Sequence, residues 1–170
     1  MPVFQAIAQG LRDFRDLYNR SPKTRAITNT SALYLGINAV GELLGLRSQE
    51  LEAMCELAAP LVSSVYMGQQ LNDNRVVANQ LVRDTAKVGL AALVGADLAG
   101  TLNGYEGNLG AVNAAKQFYQ NADSLLSEKF DYSRGQPTEM TGGLLGAAIG
   151  AAQRIMYAYN RLPRRRRRAP

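Results

Sequence analysis

The sequence has no histidine, no tryptophan and a single cysteine, Cys55. Without histidine, the commonest metal ligand and the usual proton shuttle at neutral pH are both missing. Ser/His/Asp triads, Cys/His pairs and HExxH zinc helices are excluded with it. One thiol can build neither a disulfide framework within the chain nor a Cys-rich zinc site. Cys55 lies with Leu51, Met54 and Ala58 on an apolar stripe, so it reads as a structural thiol and not as a nucleophile. Glu52 and Glu56, four residues apart, read as a solvated helix face, since a carboxylate metal site needs further ligands. The glycines at 100, 104, 107 and 110 match neither GxGxxG nor a P-loop and follow no strand pattern. The expectation is a protein that is not an enzyme and holds no metal or cofactor.

Long apolar runs are also missing. The longest charge-free stretches, Ala26 to Gly41 and Leu57 to Asn72, have sixteen residues each, whereas a bilayer span needs about 20 predominantly apolar ones. No transmembrane span is expected. The N-terminus mixes charge with apolar residues and has no apolar core followed by a small-residue cleavage site, so no secretory signal is expected either.

A chain of 170 residues, 46% of them apolar, has the size of one domain. Its net charge of +5 hides an uneven distribution. Residues 1–29 carry net +3, residues 30–160 net −4, and residues 161–170 net +6. This divides the chain into a basic N-terminal helix and linker arm (1–29), a helical body (30–160) and a polyarginine tail (161–170). Fifteen of the 19 basic residues are arginine, whose planar fork can give two parallel hydrogen bonds to one phosphate.

Apolar periodicity predicts helices throughout. Phe4, Ile7, Leu11, Phe14 and Tyr18 recur at steps of three and four, which predicts an amphipathic helix ending near Asn19. The proline-broken stretch Arg20 to Arg25 reads as an exposed linker that leaves this helix detachable. A second helix is predicted from Ser31 to Leu46, with Leu33, Ile37, Val40 and Leu44 inward. A third, opened by Ser48, carries Leu51, Met54, Val62 and Tyr66 and should be kinked or divided at Pro60. Further helices are predicted at about 75–99, 111–127 and 139–162, the last carrying Leu145, Ile149, Ala152, Met156 and Tyr159. Between the fourth and fifth, the glycine-rich residues 100–110 read as a flexible connection at a subunit contact. No alternating β-branched run competes, so the fold class is all-α, a single-domain bundle of five or six helices.

Two patterns stand out against this background. Small residues recur every fourth position, Ala91, Gly95 and Ala99 in one helix and Gly142, Gly146 and Gly150 in another. Such a face lets another backbone approach closely, either within the chain or between subunits. The second pattern is Arg161 followed by Arg164, Arg165, Arg166, Arg167 and Arg168. Consecutive guanidinium groups repel one another and favour an anion alongside. A solubilising tail, a nuclear-import signal and an anionic-lipid tether are the other readings of this run. Backbone binding to nucleic acid is the favoured one, with Arg12, Arg15, Arg20, Lys23 and Arg25 as a second contact track. No zinc finger, RRM signature or recognition helix points to base reading.

The detachable basic N-terminal helix with its linker (Phe4 to Arg25), the Ala/Gly/Tyr-rich segment GGLLGAAIGAAQRIMYAYNR and the basic end together resemble the coat proteins of filamentous archaeal DNA viruses. In that family, small helical subunits wrap a linear duplex. The resemblance implies self-association as a homo- or hetero-oligomer, double-stranded DNA as partner, and a place in a virion or intracellular nucleoprotein assembly. It also implies phosphate contacts for the basic residues just named. The rival expectation is a peripheral membrane protein that lays its amphipathic helix and polybasic tail on anionic lipid.

Overall fold

The computed structural model describes residues 2–107, 109–130 and 137–161. They form six helices: α1 (Pro2–Arg20), α2 (Pro22–Gly45), α3 (Gln49–Gln70), α4 (Gln80–Gly104), α5 (Gly110–Phe130) and α6 (Pro137–Arg161). The fold is all-α, a helical bundle, as periodicity predicts. The chain divides into two compact units, Met1–Arg83 and Asp84–Pro170, with the division inside α4.

In the first unit, Arg20 to Arg25 is not a linker. Ser21 is the one residue between α1 and α2; it is extended (φ −106°, ψ 107°) and its Oγ accepts the Thr24 N–H at 3.2 Å. Pro22 occupies the first turn of α2, where its missing N–H and fixed φ cost nothing. The proline that ends one helix therefore starts the next.

The end of α1 is tied down rather than detachable. Tyr18 donates its hydroxyl to Asn29 Oδ1 at 2.8 Å, and Asn29 Nδ2 donates to the Tyr66 hydroxyl at 3.1 Å, which joins α1, α2 and α3. Arg25 closes the junction by donating to the Asn19 carbonyl at 2.9 Å, with its guanidinium 5.7 Å from the centre of the Tyr18 ring.

The α3 helix starts as expected, with Ser48 Oγ accepting the Leu51 N–H and with Glu50 and Glu52 in a first turn that favours negative charge. It then runs undivided through the buried Pro60 to Gln70. Its end turns at Asp73, whose carboxylate accepts the backbone N–H of Arg75 and three guanidinium hydrogen bonds at 2.9–3.2 Å. These bonds hold the Asp73 carboxyl below the usual carboxylate range. Because this turn occupies residues 71–76, α4 begins at Gln80 and not near Arg75, with Asn79 Oδ1 accepting the Val82 N–H.

In the second unit α4 continues beyond the expected end at Ala99, as far as Gly104. The connection to α5 is organised rather than loose. Tyr105 is buried, its hydroxyl accepts the Leu109 N–H at 3.2 Å, and its carbonyl accepts Lys116 Nζ at 2.8 Å. Gly107 lies against the Tyr105 ring, where a side chain would collide with the phenol. The α5 and α6 helices are joined by Thr141, fully buried, which donates to Asp123 Oδ1 at 2.6 Å.

The core differs most from expectation. Half of the buried apolar side chains are alanine (Ala26, Ala53, Ala59 and Ala99), beside Leu71, Val76, Leu102 and Tyr105, while Val40, Leu51, Met54, Val62, Ile149, Met156 and Tyr159 are exposed. The reason is the mode of contact: these helices close on alanine and glycine, which brings backbones together and leaves long side chains outside. Gly41 of α2 packs so closely on α3 that a Cβ there would stand 2.8 Å from Cys55 Cβ.

The junction yields a test. Tyr66→Phe removes the acceptor of Asn29 and should cost about 1 kcal/mol in denaturant unfolding. Amide exchange should quicken in the last turn of α1; unaltered exchange would show that the three-residue relay does not hold that helix.

Candidate assembly and nucleic-acid interface

The six small residues identified in sequence meet one another within the second unit. The α4 and α6 helices run antiparallel, with Asp84 paired to Arg154 at 3.7 Å at one end and Gly100 beside Glu139 at the other. Between them, a Cβ on Gly95 would strike the Gly142 carbonyl, and one on Gly142 would strike the Gly95 carbonyl. A Cβ on Gly146 would strike the Ala91 carbonyl, and one on Gly150 would stand 3.0 Å from Ala91 Cβ. Ala99 completes the face, its Cβ on the Gly142 side. At Gly95, Gly142 and Gly146 the missing Cβ leaves a second α-hydrogen aimed at a carbonyl oxygen across the crossing, a contact worth about 0.5–1 kcal/mol. These residues hold the unit together internally, which leaves the larger apolar side chains for other surfaces.

Those larger side chains form outward faces. On α1, Val3, Phe4, Ile7, Leu11, Phe14 and Leu17 are all exposed, Phe4 by 79%. Leu35, Leu43 and Leu46 are exposed on α2 and its C-cap, and Ile155 and Met156 on α6. A helix that buries one apolar stripe normally turns it to the core. Here the stripes were legible in sequence, but not the fact that the monomer leaves them uncovered.

The basic track is exposed. Arg12, Arg15 and Arg20 lie on α1 and Lys23 and Arg25 in the first turn of α2. Asp13 and Asp16 interleave with them, and Gln9 donates to Asp13 at 2.8 Å while Arg12 Nε donates to the Ala8 carbonyl at 3.3 Å. The ion pairs Arg75–Asp73 and Arg154–Asp84 do not involve the track. Arg25 is partly engaged at the α1–α2 junction, a role that sequence did not reveal. Arg161 closes α6, and Arg164 to Arg168 lie outside the described residues.

No cluster of three or more metal-ligating side chains occurs among the described residues. An open polar groove of about 400 Å³ lies between the Tyr105 turn and α5, lined by Glu106, Asn113, Lys116 and Gln117. Lys116 is already bonded to the Tyr105 carbonyl there. On α5, burial pushes the Tyr119 phenol above its ordinary value, so it stays neutral at physiological pH. By length and composition α4 is apolar enough to cross a membrane, although its charge-free stretches are short; it also carries the buried Gly95, Ala99 and Leu102.

The crossing predicts opposite effects for two glycines of the second unit. Gly142→Val should destabilise by about 3 kcal/mol, because its branches meet a backbone carbonyl. Gly89→Ala, in the α4 interior with nothing within 4 Å, should stabilise by about 1 kcal/mol. Thermal unfolding of both variants checks the contrast, and a neutral Gly142→Val would mean that the close approach is not required. Comparison with known proteins gives no match to any family model, curated protein or solved structure.

Proposed function

We propose that this chain is a non-enzymatic structural protein that self-assembles and coats nucleic acid, as a nucleocapsid or filament coat does, through contacts to the phosphate backbone that ignore base sequence. The observation that carries the reading is the inverted distribution of side-chain size. The closest helix contacts inside each unit use alanine and glycine, while phenylalanine, leucine, isoleucine and methionine face outward on all six helices. Contiguous exposed apolar surface of this kind marks an interaction face. Neighbouring copies supply the cover that the monomer lacks.

The basic segments supply the second half of the reading. Arg12, Arg15, Arg20 and Lys23 are exposed and free of ion pairs among the described residues, and the tail adds six arginines in ten residues. Each guanidinium that neutralises a phosphate releases a condensed counterion, so binding is steeply salt-dependent. Assembly raises the effective concentration of neighbouring basic segments, which turns many weak backbone contacts into tight coating. Double-stranded DNA is the proposed polymer, and a virion or intracellular nucleoprotein assembly the proposed setting.

A second reading is favoured by one observation, the length and apolar composition of α4. Together with the amphipathic α1, it supports a protein of the membrane surface or membrane apparatus. Titration against duplex DNA and against phosphatidylserine vesicles separates the two. The coat reading expects DNA affinity to fall linearly with salt on logarithmic axes. Removal of residues 161–170, with their six arginines, should flatten that slope by up to about five. An unchanged slope overturns the tail's role, and binding to vesicles alone overturns the coat reading.

A further inference from the structure

We infer that the elbow between α1 and α2 is a phosphate site centred on Arg25, and that a nucleic-acid phosphate held there locks the direction of α1. The inference rests on the nucleic-acid reading above and names both a contact and its effect.

The charge pattern singles out the elbow. On α1, Arg12 and Arg15 each have an aspartate beside them, Asp13 and Asp16. Arg20, Lys23 and Arg25 lie within six residues, all exposed, and no acidic residue occurs between Asp16 and Glu42. Within the first unit, positive charge is therefore least compensated where these two helices meet.

Arg25 is also held in place there. The Leu17 carbonyl accepts the Ser21 N–H at 2.8 Å, but Pro22 has no N–H to offer the Tyr18 carbonyl. The extended Ser21 breaks the register that would bring the Lys23 N–H to the Asn19 carbonyl. Arg25 Nη2 fills that place at 2.9 Å, with its guanidinium 5.7 Å from the centre of the Tyr18 ring. A cation at a helix C-terminus also suits the dipole. The bond to Asn19 uses one N–H of Nη2. A guanidinium carries others on Nε, Nη1 and Nη2, enough for two parallel bonds to one phosphate without leaving the carbonyl.

Coupling follows from this arrangement. Fixing a long side chain costs rotamer entropy, and in the closed elbow Arg25 is already ordered. It therefore takes a phosphate more tightly when the elbow is closed than when it is open. By linkage, a bound phosphate favours the closed elbow to the same extent. The relay from Tyr18 through Asn29 to Tyr66 carries that constraint into α2 and α3. Lys23, two residues from Arg25, stands on nearly the opposite side of α2, so it adds to the local field without gripping the same phosphate. Copies on nucleic acid hold α1 in one direction more narrowly than free copies do, which favours assembly along the polymer over assembly in solution.

The test is hydrogen exchange on the full-length protein at low salt, alone and with saturating duplex DNA, for the wild type, Arg25→Gln and Arg20→Gln. Circular dichroism checks that both variants remain helical. DNA should slow exchange in the last turn of α1 of the wild type by about fivefold or more. Arg25→Gln should exchange faster there even without DNA and should lose the slowing. Arg20→Gln, which removes a neighbouring charge and leaves the elbow intact, should keep it. Faster exchange on DNA would mean that phosphate draws the guanidinium off the Asn19 carbonyl, and it overturns the locking. Unaltered exchange in a DNA-bound wild type, slowing that survives in Arg25→Gln, or slowing lost equally in both variants overturns it too. So does slowing by phosphatidylserine vesicles and not by DNA. A wild type that binds no DNA removes the nucleic-acid reading itself, and the phosphate site with it.

Discussion

Two helices can pack backbone to backbone only where neither offers a side chain beyond Cβ, and this steric condition governs the rest of the molecule. In the second unit it is met by glycine facing glycine across α4 and α6, and in the first by Gly41 against α3. Contact at that range leaves no volume between the helices for leucine or phenylalanine. The apolar residues that would fill an ordinary core are displaced to the outside, where Leu46 is 85% exposed and Phe4 79%. Hydrophobic burial is therefore incomplete in the single chain, and in the proposed assembly neighbouring copies would supply what folding leaves undone.

Helix number and type were legible because they depend on local chemistry. The steps of three and four in α1, the Ser48 cap and the absence of β-branched alternation each act within a few residues. The Arg20–Arg25 stretch misled because proline and serine have two uses. They interrupt a helix when read from its N-terminal side, and they cap and start one when read from the other. The direction in which a stripe faces was not legible at all. A period of 3.6 locates an apolar face but does not say whether the same chain covers it, and here Val40, Met54 and Met156 lie uncovered.

The candidate site divides along the same line. The small-residue spacing at Ala91, Gly95, Ala99 and at Gly142, Gly146, Gly150 could be read directly, because omission of Cβ is visible in the letters. That these two faces meet each other is a tertiary fact. The bond from Asn29 to Tyr66 spans 37 residues, and no signal near either position announces it. Arginine clusters are equally plain as composition, but composition does not show that Arg25 spends its guanidinium on the Asn19 carbonyl and the Tyr18 ring.

The elbow at Ser21 has a geometric consequence. One extended residue, flanked by a cap on one side and a tyrosine relay on the other, sets the direction in which α1 leaves the hairpin. In the proposed assembly, a neighbour that engaged α1 would take its direction from that single pair of dihedral angles. A few degrees of torsion there would accumulate at every step and alter the pitch of the whole superstructure, so a substitution too mild to affect folding could still change the particle's morphology.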